Sequence, residues 1–492
     1  LSTFNWEINS KFTFSGGIDL RTYKGQHYGE VYDLLGGEFV RDNSNQSINA
    51  YQTKLYKGDK IYYYNDGLVR WGGVFAQMEY KEGNWTAFLN LTSAISAYKR
   101  IDYFKKKDLV IDGTTYNMVI SYWDTFYSDG SHSAIYTPSK GDKMLVSGDT
   151  TFIYNPVGGG QFNTDTLINA KTYTIDSQEA RVAQTSWKVF PGYTIKGGVN
   201  YNIDKRNNVF LNLGYLSKAP RFSNVFNNDN KVVLNPKNEI IKAAELGYSF
   251  NTKKIALNVN GYMTYWNNRP LDATLFYIDQ PTQEKYPYNI NGIDAFHKGI
   301  EIEFGFKPIP SLQWDQVLSW GDWRWMSAGT AYIFTQSGTP VDTVSYDAKG
   351  VHVGDAAQFQ FMESLRWEII KYLYISASVT LFDKNYAEMD PTSLDPINYP
   401  NSFDENGKPK DSWKLPLYYL VDLNAGYKFT FRKFKLDLRA TVLNLLDRVY
   451  IADATNNDTY SVSPNPYMFD AKSAGVFFGQ GRTFNISVAL SY

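Results

Sequence analysis

Cysteine is absent from the 492-residue sequence, which excludes disulfide bonds, zinc–thiolate sites, iron–sulfur clusters and cysteine nucleophiles. Histidine is scarce, and His27, His132, His297 and His352 form no HExxH pattern, so we expect no metal site built on histidine. No apolar run approaches the ~18 residues that a membrane-spanning helix needs. The 49 basic and 50 acidic residues nearly cancel, which argues against nucleic acid as a partner.

Motifs of catalysis and cofactor binding are also missing. The glycine run at 158–160 lacks the Lys-Ser/Thr of a phosphate-binding loop, and no GxSxG motif is present. The sequence therefore predicts no enzyme and no cofactor. Segments 227–230 and 404–407 carry oxygen ligands in turns, but neither has EF-hand spacing, so we prefer Asx turns and keep calcium as the alternative.

Aromatic residues make up 17% of the sequence, and apolar and polar residues alternate along most of it. A period of two residues is typical of β-strands with one wet face. The clearest runs are Phe12–Leu20, Val74–Tyr80, Trp85–Ile95, Ile255–Tyr265, Ile300–Phe306, Tyr419–Phe429, Phe434–Val442 and Phe484–Tyr492.

Three features favour a transmembrane antiparallel β-barrel over a soluble sandwich, even though the mean hydropathy is -0.40. First, runs of ~9–11 residues suit tilted membrane strands. Second, one face carries charges that a wet lumen accepts, at Asp19, Arg21, Glu79, Glu245, Glu301, Glu303, Asp422, Lys435, Asp437 and Arg439. Third, aromatics beside short turns suit an interfacial girdle, at Phe12, Tyr80, Trp85, Tyr248, Phe250, Phe306, Tyr427, Phe429 and Phe434.

Short and long connections alternate, as periplasmic turns and extracellular loops do in outer-membrane barrels. Counting hairpins predicts about fourteen strands, with the stub of an earlier strand at Thr3–Glu7. The predicted long loops include Lys24–Asn65, Gln336–Gly354 and Asp383–Leu415. We expect one barrel over residues 1–492, with a long extracellular loop at 101–190.

Particular passages resemble the C-terminal part of TonB-dependent outer-membrane receptors of the Bacteroidetes type. Pro220 lies in a "YSxAPxF"-like passage, and Asn235, Pro236, Glu245 and Gly247 lie in an "NPxxxxE…ELGY"-like one. Further matches are Gly299 in a "KGVELE"-like strand, Asn444 and Asp447 in an "NLFDxxY"-like segment, and Gly481 and Arg482 in a "GRxF"-like segment; the terminal Tyr492 resembles the aromatic end that assembly machinery reads, or is a girdle residue.

The resemblance implies an outer-membrane protein with 22 strands, an N-terminal plug and a TonB box. Because the sequence shows neither plug nor box, we expect this chain to be the C-terminal portion. The family's activity is import of a bulky, scarce nutrient, such as a siderophore, haem, cobalamin, a glycan or a peptide. TonB, ExbB and ExbD would supply the energy through the missing N-terminal part. Outer-membrane lipids, and as a further option a surface lipoprotein, are the other expected partners.

Aromatic residues in and beside the long loops are the candidate ligand contacts, because exposed rings at a barrel mouth can stack on a ligand. Packing of one loop against another is the alternative for each. Passive diffusion through a porin, or a barrel subunit of a larger outer-membrane complex, are the alternative functions. The candidate contacts are Tyr122, Trp123, Phe126, Tyr127, Trp266, Arg269 and Trp413.

Overall fold

The computed structural model describes residues 1–42, 44–45, 54–104, 184–226, 236–269, 292–329, 345–389, 393–397, 399–455 and 469–491 in full. Elsewhere it describes the backbone of the short strands and of the strand ends and 3-10 turn given below. No helix in these described parts of the chain is long and apolar enough to cross a membrane.

Fifteen strands follow one another in chain order as neighbours in one antiparallel sheet. They are β1 (Ser2–Glu7), β2 (Phe12–Glu30), β3 (Lys60–Glu82), β4 (Trp85–Lys106), β5 (Lys188–Asn202), β6 (Asn207–Lys218), β7 (Glu239–Asn251), β8 (Ile255–Arg269), β9 (Ile293–Ile309), β10 (Leu312–Trp325), β11 (Phe359–Ile370), β12 (Leu373–Asp383), β13 (Tyr418–Phe431), β14 (Phe434–Leu443) and β15 (Thr483–Ser491). This confirms the all-β antiparallel barrel prediction and the count of about fourteen strands plus an early stub.

Shorter elements lie in the long connections. One strand, Val182–Gln184, adds to the main sheet by pairing with β4. The other strands are Val40–Arg41, Lys54–Leu55, Leu109–Ile111, Thr114–Tyr116, Thr125–Phe126, His132–Ser133, Lys143–Ser147, Thr150–Gly158, Gln161–Ile168, Leu275–Ile278, Lys285–Tyr288, Ala328–Phe334, Pro340–Asp347, Ile451–Thr455 and Gly475–Phe478; 3-10 turns occupy Phe222–Asn224, Pro391–Leu394 and Pro400–Ser402.

The pairing register separates two faces of the sheet. Val74 of β3 lies opposite Ile18 of β2 and Ser93 of β4. Side chains that pair in this register lie on the same face of the sheet, and that face is mostly apolar across all the strands. The nine aromatics expected in a girdle lie on that face, with Phe12 and Tyr80 4.9 Å apart between ring centroids. The ten charged residues expected in the lumen lie on the other face. Gln316 and Glu363 are polar exceptions on the apolar face.

Turns of a few residues close one end of the sheet, and long connections close the other, as predicted. The turn between β11 and β12, where Tyr372 has a φ of 73°, was not predicted. Several loop boundaries were wrong. The loop expected at Lys24–Asn65 is shorter, since β2 continues to Glu30 and β3 begins at Lys60. The expected Gln336–Gly354 loop in turn starts earlier, after β10 ends at Trp325.

Between the long loops lies a buried core above strands β8–β13. It packs Ile293, Ala295, Trp325, Tyr346, Ala348, Val351, Val353, Met389, Leu394 and Phe469 together. The loops on this side therefore pack against one another as a layer on the strand ends. At the sheet's edges, the described residues of β1 pair with β2, and those of β15 pair with β14.

Candidate ligand-binding mouth

Three neighbouring strands place aromatic rings on the inner face just below the long loops. Trp266 of β8, His297 of β9 and Trp323 of β10 lie side by side, because His297 is directly opposite Trp323 in the register. The His297 and Trp323 rings are stacked at 5.2 Å, and Trp266 is 6.1 Å from His297. Trp323 also donates its indole N–H to the Tyr262 hydroxyl at 2.9 Å. We call Trp266, His297 and Trp323 the mouth cluster.

A cation lies against this cluster. The Arg269 guanidinium is 5.7 Å from the Trp266 ring centroid and 5.5 Å from that of Trp325, within the range of cation–π attraction. Trp266 Nε1 and His297 Nε2 are buried and have no hydrogen-bond partner among the described residues. Buried polar atoms without partners are uncommon in proteins. The two ring nitrogens therefore remain able to form hydrogen bonds, and they lie beside the positive charge of Arg269.

Strands β4 and β6, a short way along the same sheet, are next to a second group of rings, around the segment that contains Pro220. Strand β6 ends at Lys218, and Pro220 is buried just before the 3-10 turn Phe222–Asn224. The Phe222 ring meets Tyr98 at 5.9 Å and Phe226 at 5.2 Å. Proline cannot donate to a strand ladder, which explains why the chain leaves the sheet here and turns over its inner face.

The loop between β12 and β13 forms a polar contact with the β10–β11 loop. The Asp411 carboxylate accepts the backbone N–H of His352 at 2.9 Å, and its other oxygen is 2.6 Å from His352 Nδ1. Burial alone raises the Asp411 pKa, but these hydrogen bonds from His352 lower it more, so the pKa lies below its ordinary value. Tyr386 stacks on the His352 ring at 3.9 Å, and burial raises the pKa of Tyr386 to about 12.

Trp413 is placed differently from Trp266. It packs against a small core of Ala387, Leu415 and Ala454, and its carbonyl accepts the Ala387 N–H at 2.8 Å. This arrangement is loop packing. The core that Trp413 packs against is separate from the one that Trp266 and Trp323 pack against.

Among the predicted contacts, Tyr122, Trp123 and Tyr127 lie outside the described residues, as do the motif residues Asn235 and Tyr492; of Phe126 only the strand backbone is described. Pro236 is half-buried and precedes β7. At the start of β7, Glu239 is buried, and its carboxylate lies 3.4 Å from Lys218 Nζ. Of the candidate contacts, the structure brings Trp266 and Arg269 together, and their role in ligand binding stays a prediction. His297, Trp323 and Trp325 were not among the candidates taken from the sequence. The i, i+2 spacing of Trp323 and Trp325, which puts both rings on one face of a strand, is the sequence signal that could have indicated them.

The inner wall below the mouth is polar. Glu245 is 3.5 Å from the Asn212 amide, Glu301 is 3.5 Å from the Asn260 amide, and Glu303 is 3.2 Å from that of Asn258. These side chains project from neighbouring strands into the space that the inner face encloses. A hydrated solute could form hydrogen bonds along this wall.

Two glycines of the matched motifs lie beneath aromatic rings on the inner wall. Gly247 faces Phe210 across the β6–β7 pair, and Gly299 faces Tyr262 across the β8–β9 pair. A Cβ at Gly299 would lie 2.6 Å from the Tyr262 hydroxyl and 2.7 Å from the Trp320 carbonyl. Glycine is therefore the residue that leaves room for the ring at this position.

The last matched motifs form a hydrogen-bonded clasp between the end of β14 and the start of β15. Asn444 is buried, and its side-chain amide donates to the carbonyls of Arg448 at 2.9 Å and Gln480 at 3.2 Å. The Asp447 carboxylate accepts the backbone N–H of Arg482 at 2.9 Å, next to Gly481. These residues tie two chain segments together and do not contact the mouth cluster.

Metal ligands are not assembled in the parts of the chain that the structure describes: no group of three His, Asp or Glu side chains could hold an ion there. At the calcium alternative 404–407, one Asp404 oxygen accepts the backbone N–H groups of Asn406 and Lys408, both at 2.9 Å. This is the geometry of an Asx turn.

Comparison with known proteins identifies the class. The family model for the TonB dependent receptor-like beta-barrel matches residues 2–445, so the chain belongs to that family and is an outer-membrane β-barrel. Members of the family are transporters and not enzymes. A search of curated proteins finds no match to the sequence.

Comparison with solved structures finds similar proteins at low sequence identity. The copper transporter OprC has a TM-score of 0.52 and 14% identity, over 98% of this chain and 55% of that one. The siderophore receptor PiuA from Acinetobacter baumannii has a TM-score of 0.49 and 12% identity, over 99% and 63%. The unliganded ferric citrate transporter FecA has a TM-score of 0.49 and 11% identity, over 99% and 60%. The chain thus spans about three fifths of the length of these proteins.

Proposed function

We propose that the protein containing this chain is an active importer that takes up a bulky, scarce nutrient, with energy from TonB, ExbB and ExbD. The observation that carries the proposal is the match to the receptor family over residues 2–445. The polar inner wall and the aromatic mouth fit a path for a hydrated solute that is first bound at the outside. The barrel supplies the wall and the specificity loops, and gating is conformational, so no catalytic residue is required.

For the substrate, the mouth cluster favours a ligand with planar rings and negative charge. The flat faces of Trp266 and Trp323 can stack on rings, while Arg269 can pair with an anionic group. Siderophores, haem, cobalamin, glycans and peptides remain the candidates, and the first two fit both features best. The loop residues Trp123 and Tyr127 remain proposed contacts as well.

Energised uptake by the intact protein is the decisive measurement. Cells that carry the full-length gene should accumulate a labelled substrate, and a protonophore or deletion of tonB should abolish the accumulation. Uptake that persists after both treatments would support the porin alternative instead. Purification of a stoichiometric lipoprotein without any nutrient binding would support the complex-subunit alternative.

Specificity can be tested at the mouth with a matched tryptophan. Trp266→Ala should weaken binding of a ring-bearing substrate by about threefold to tenfold, because an aromatic contact is worth ~0.5–1.5 kcal/mol. Trp85→Ala, at the short-turn end of the outward face, should leave substrate affinity unchanged while giving a comparable loss of ring area. Equal affinities for the wild type and the Trp266 variant would remove the mouth cluster from the binding site.

A further inference from the structure

A depression of about 620 Å³ lies on the outward, apolar face of β4–β9. One row of directly paired residues crosses it: Leu89, Gly197, Leu213, Ala244 and Met263. Within this row Gly197 has no side chain and Ala244 has only a methyl group, while Leu89, Leu213 and Met263 are large. The alternation leaves a trough with apolar sides instead of the even surface that uniform aliphatic residues would give.

A lysine stands at the end of the trough nearer the long loops. Lys242 belongs to the next row of paired residues, between Tyr215 of β6 and Tyr265 of β8. Its Nζ is 5.8 Å from the Tyr265 ring centroid. Within the described part of the chain, Lys242 forms no ion pair with a carboxylate.

The depth of Lys242 in the membrane follows from the strand geometry. Tyr248 lies on the same outward face near the short-turn end of β7, six residues further along. At ~3.3 Å per residue this separation is about 20 Å along the strand, or about 15 Å in height at a strand tilt of ~40°, so Lys242 lies in the outer part of the ~25 Å apolar band. The four-carbon side chain of Lys242 can therefore extend to place its ammonium group among the outer-leaflet headgroups.

We propose that this trough binds an acyl chain of a phosphorylated outer-leaflet lipid, with the Lys242 ammonium group on the lipid phosphate. The apolar sides match a hydrocarbon chain, and the uncompensated charge matches an anionic headgroup at the same end. The Tyr215 and Tyr265 rings flank the headgroup at the interface, where tyrosines are favoured. The site faces lipid and not the lumen, so it does not depend on the proposed transport function.

A second lysine on the same face offers a matched control. Lys298 of β9 lies directly opposite Met263, at the edge of the trough, but its Nζ is 3.5 Å from the Asp322 carboxylate. Asp322 also accepts a hydrogen bond from Arg324 at 2.7 Å, so Lys298 shares a carboxylate partner within the protein, whereas Lys242 has none among the described residues. If a phosphate is recognised, Lys242 should matter and Lys298 should not.

Native mass spectrometry of the full-length protein, titrated with bisphosphorylated lipid A in detergent, tests the proposal. We expect one lipid to remain bound and Lys242→Met to weaken it by about fivefold, as expected for one lysine at a charged membrane surface. Lys298→Met should bind as the wild type does. Gly197→Leu, which fills the trough but keeps the charge, should also weaken binding, and phosphatidylcholine should not compete.

Three results would overturn the assignment. Equal loss in the Lys242 and Lys298 variants would show attraction of the lipid to positive charge without a defined site, and equal binding of lipid A and phosphatidylcholine would show apolar contact without recognition of the phosphorylated headgroup. A dimer or trimer that Gly197→Leu dissociates would assign the trough to a second copy of the chain. The Gly197 variant should fold, since a Cβ there meets its nearest atom at 3.4 Å.

Discussion

Among the described residues, glycine and an aromatic residue lie directly opposite each other at five places on the inner wall. In each pair the ring lies across the glycine, where a methyl group would overlap it. The pairs are Gly17 with Phe75, Gly198 with Phe88, Gly247 with Phe210, Gly299 with Tyr262, and Gly426 with Tyr374. Ring and backbone thereby fill the wall without projecting into the lumen, and the pairs help to fix the strand register.

Gly299→Ala should destabilise the barrel by about 1–3 kcal/mol, because the new methyl group would meet both the Tyr262 hydroxyl and the Trp320 backbone carbonyl. Urea unfolding in detergent, followed by tryptophan fluorescence, measures the difference in the free energy of unfolding. Gly214→Ala on the same face is the control, since its nearest neighbour would be a Leu216 side-chain atom at 3.4 Å. Equal effects at the two positions would contradict the role given to the Tyr262 ring.

Among the elements, the connection from β14 to β15 shows why its motif needs particular residue types. Asn444 and Asp447 have φ values of 50° and 53°, in the left-handed region where Asn and Asp are tolerated better than most residues. Each also uses its side chain to bind a backbone group on the other side of the connection. Backbone conformation and hydrogen bonding therefore select the same residue types.

Asn444→Ala should lower stability by about 2–4 kcal/mol, because it combines left-handed strain with the loss of buried hydrogen bonds. Asn444→Gly removes the same hydrogen bonds without the strain and should cost less. The fraction of folded barrel during heating, read from gel mobility of unboiled samples, ranks the two variants. If the Gly variant were as unstable as the Ala variant, the backbone conformation would not contribute.

Strand predictions from the sequence were accurate within the membrane, but the strand ends on the long-loop side of the membrane were missed. Trp85–Ile95 was the predicted part of β4, but the strand continues to Lys106. Within the bilayer, lipid on one side and water on the other impose strict alternation. Beyond it both faces meet water or loops, as where Tyr64 stacks on Tyr103 at 4.4 Å, and the two-residue pattern disappears.

The mouth was predictable only in part for a related reason. Trp266 and Arg269 are close in sequence, so their proximity follows from one strand. His297 and Trp323 join them through the register of β8, β9 and β10, which a single sequence does not specify. Trp413 was a candidate ligand contact with loop packing as the alternative, and it packs against a small loop core, a contact that also depends on chain segments far apart in sequence.

For the whole molecule, the division into two faces explains how a chain with negative mean hydropathy can be a membrane protein. Leu246, Ile300, Ile486 and Val488 are exposed apolar residues, and all lie on the outward face. Exposure of this extent would promote aggregation in water, but in a bilayer these side chains meet hydrocarbon. Polar residues, hidden from lipid on the inner face, lower the average.

Adjacent residues of β7 test this division directly. Leu246 lies on the outward face, 63% exposed and midway between Lys242 and Phe250, whereas Glu245 points to the lumen. Leu246→Arg should destabilise the barrel by about 2–4 kcal/mol, the cost of an arginine near the bilayer midplane. Glu245→Arg introduces the same side chain into a wet lumen and should lose little beyond the contact with Asn212.

The amount of folded barrel in isolated outer membranes, measured for both variants against the wild type, separates the two positions. We expect a strong loss for Leu246→Arg and near-normal levels for Glu245→Arg. The reverse order would mean that the faces are assigned the wrong way round. A one-residue shift in the register of β7 would produce that reversal, since it exchanges every inward side chain of the strand for an outward one.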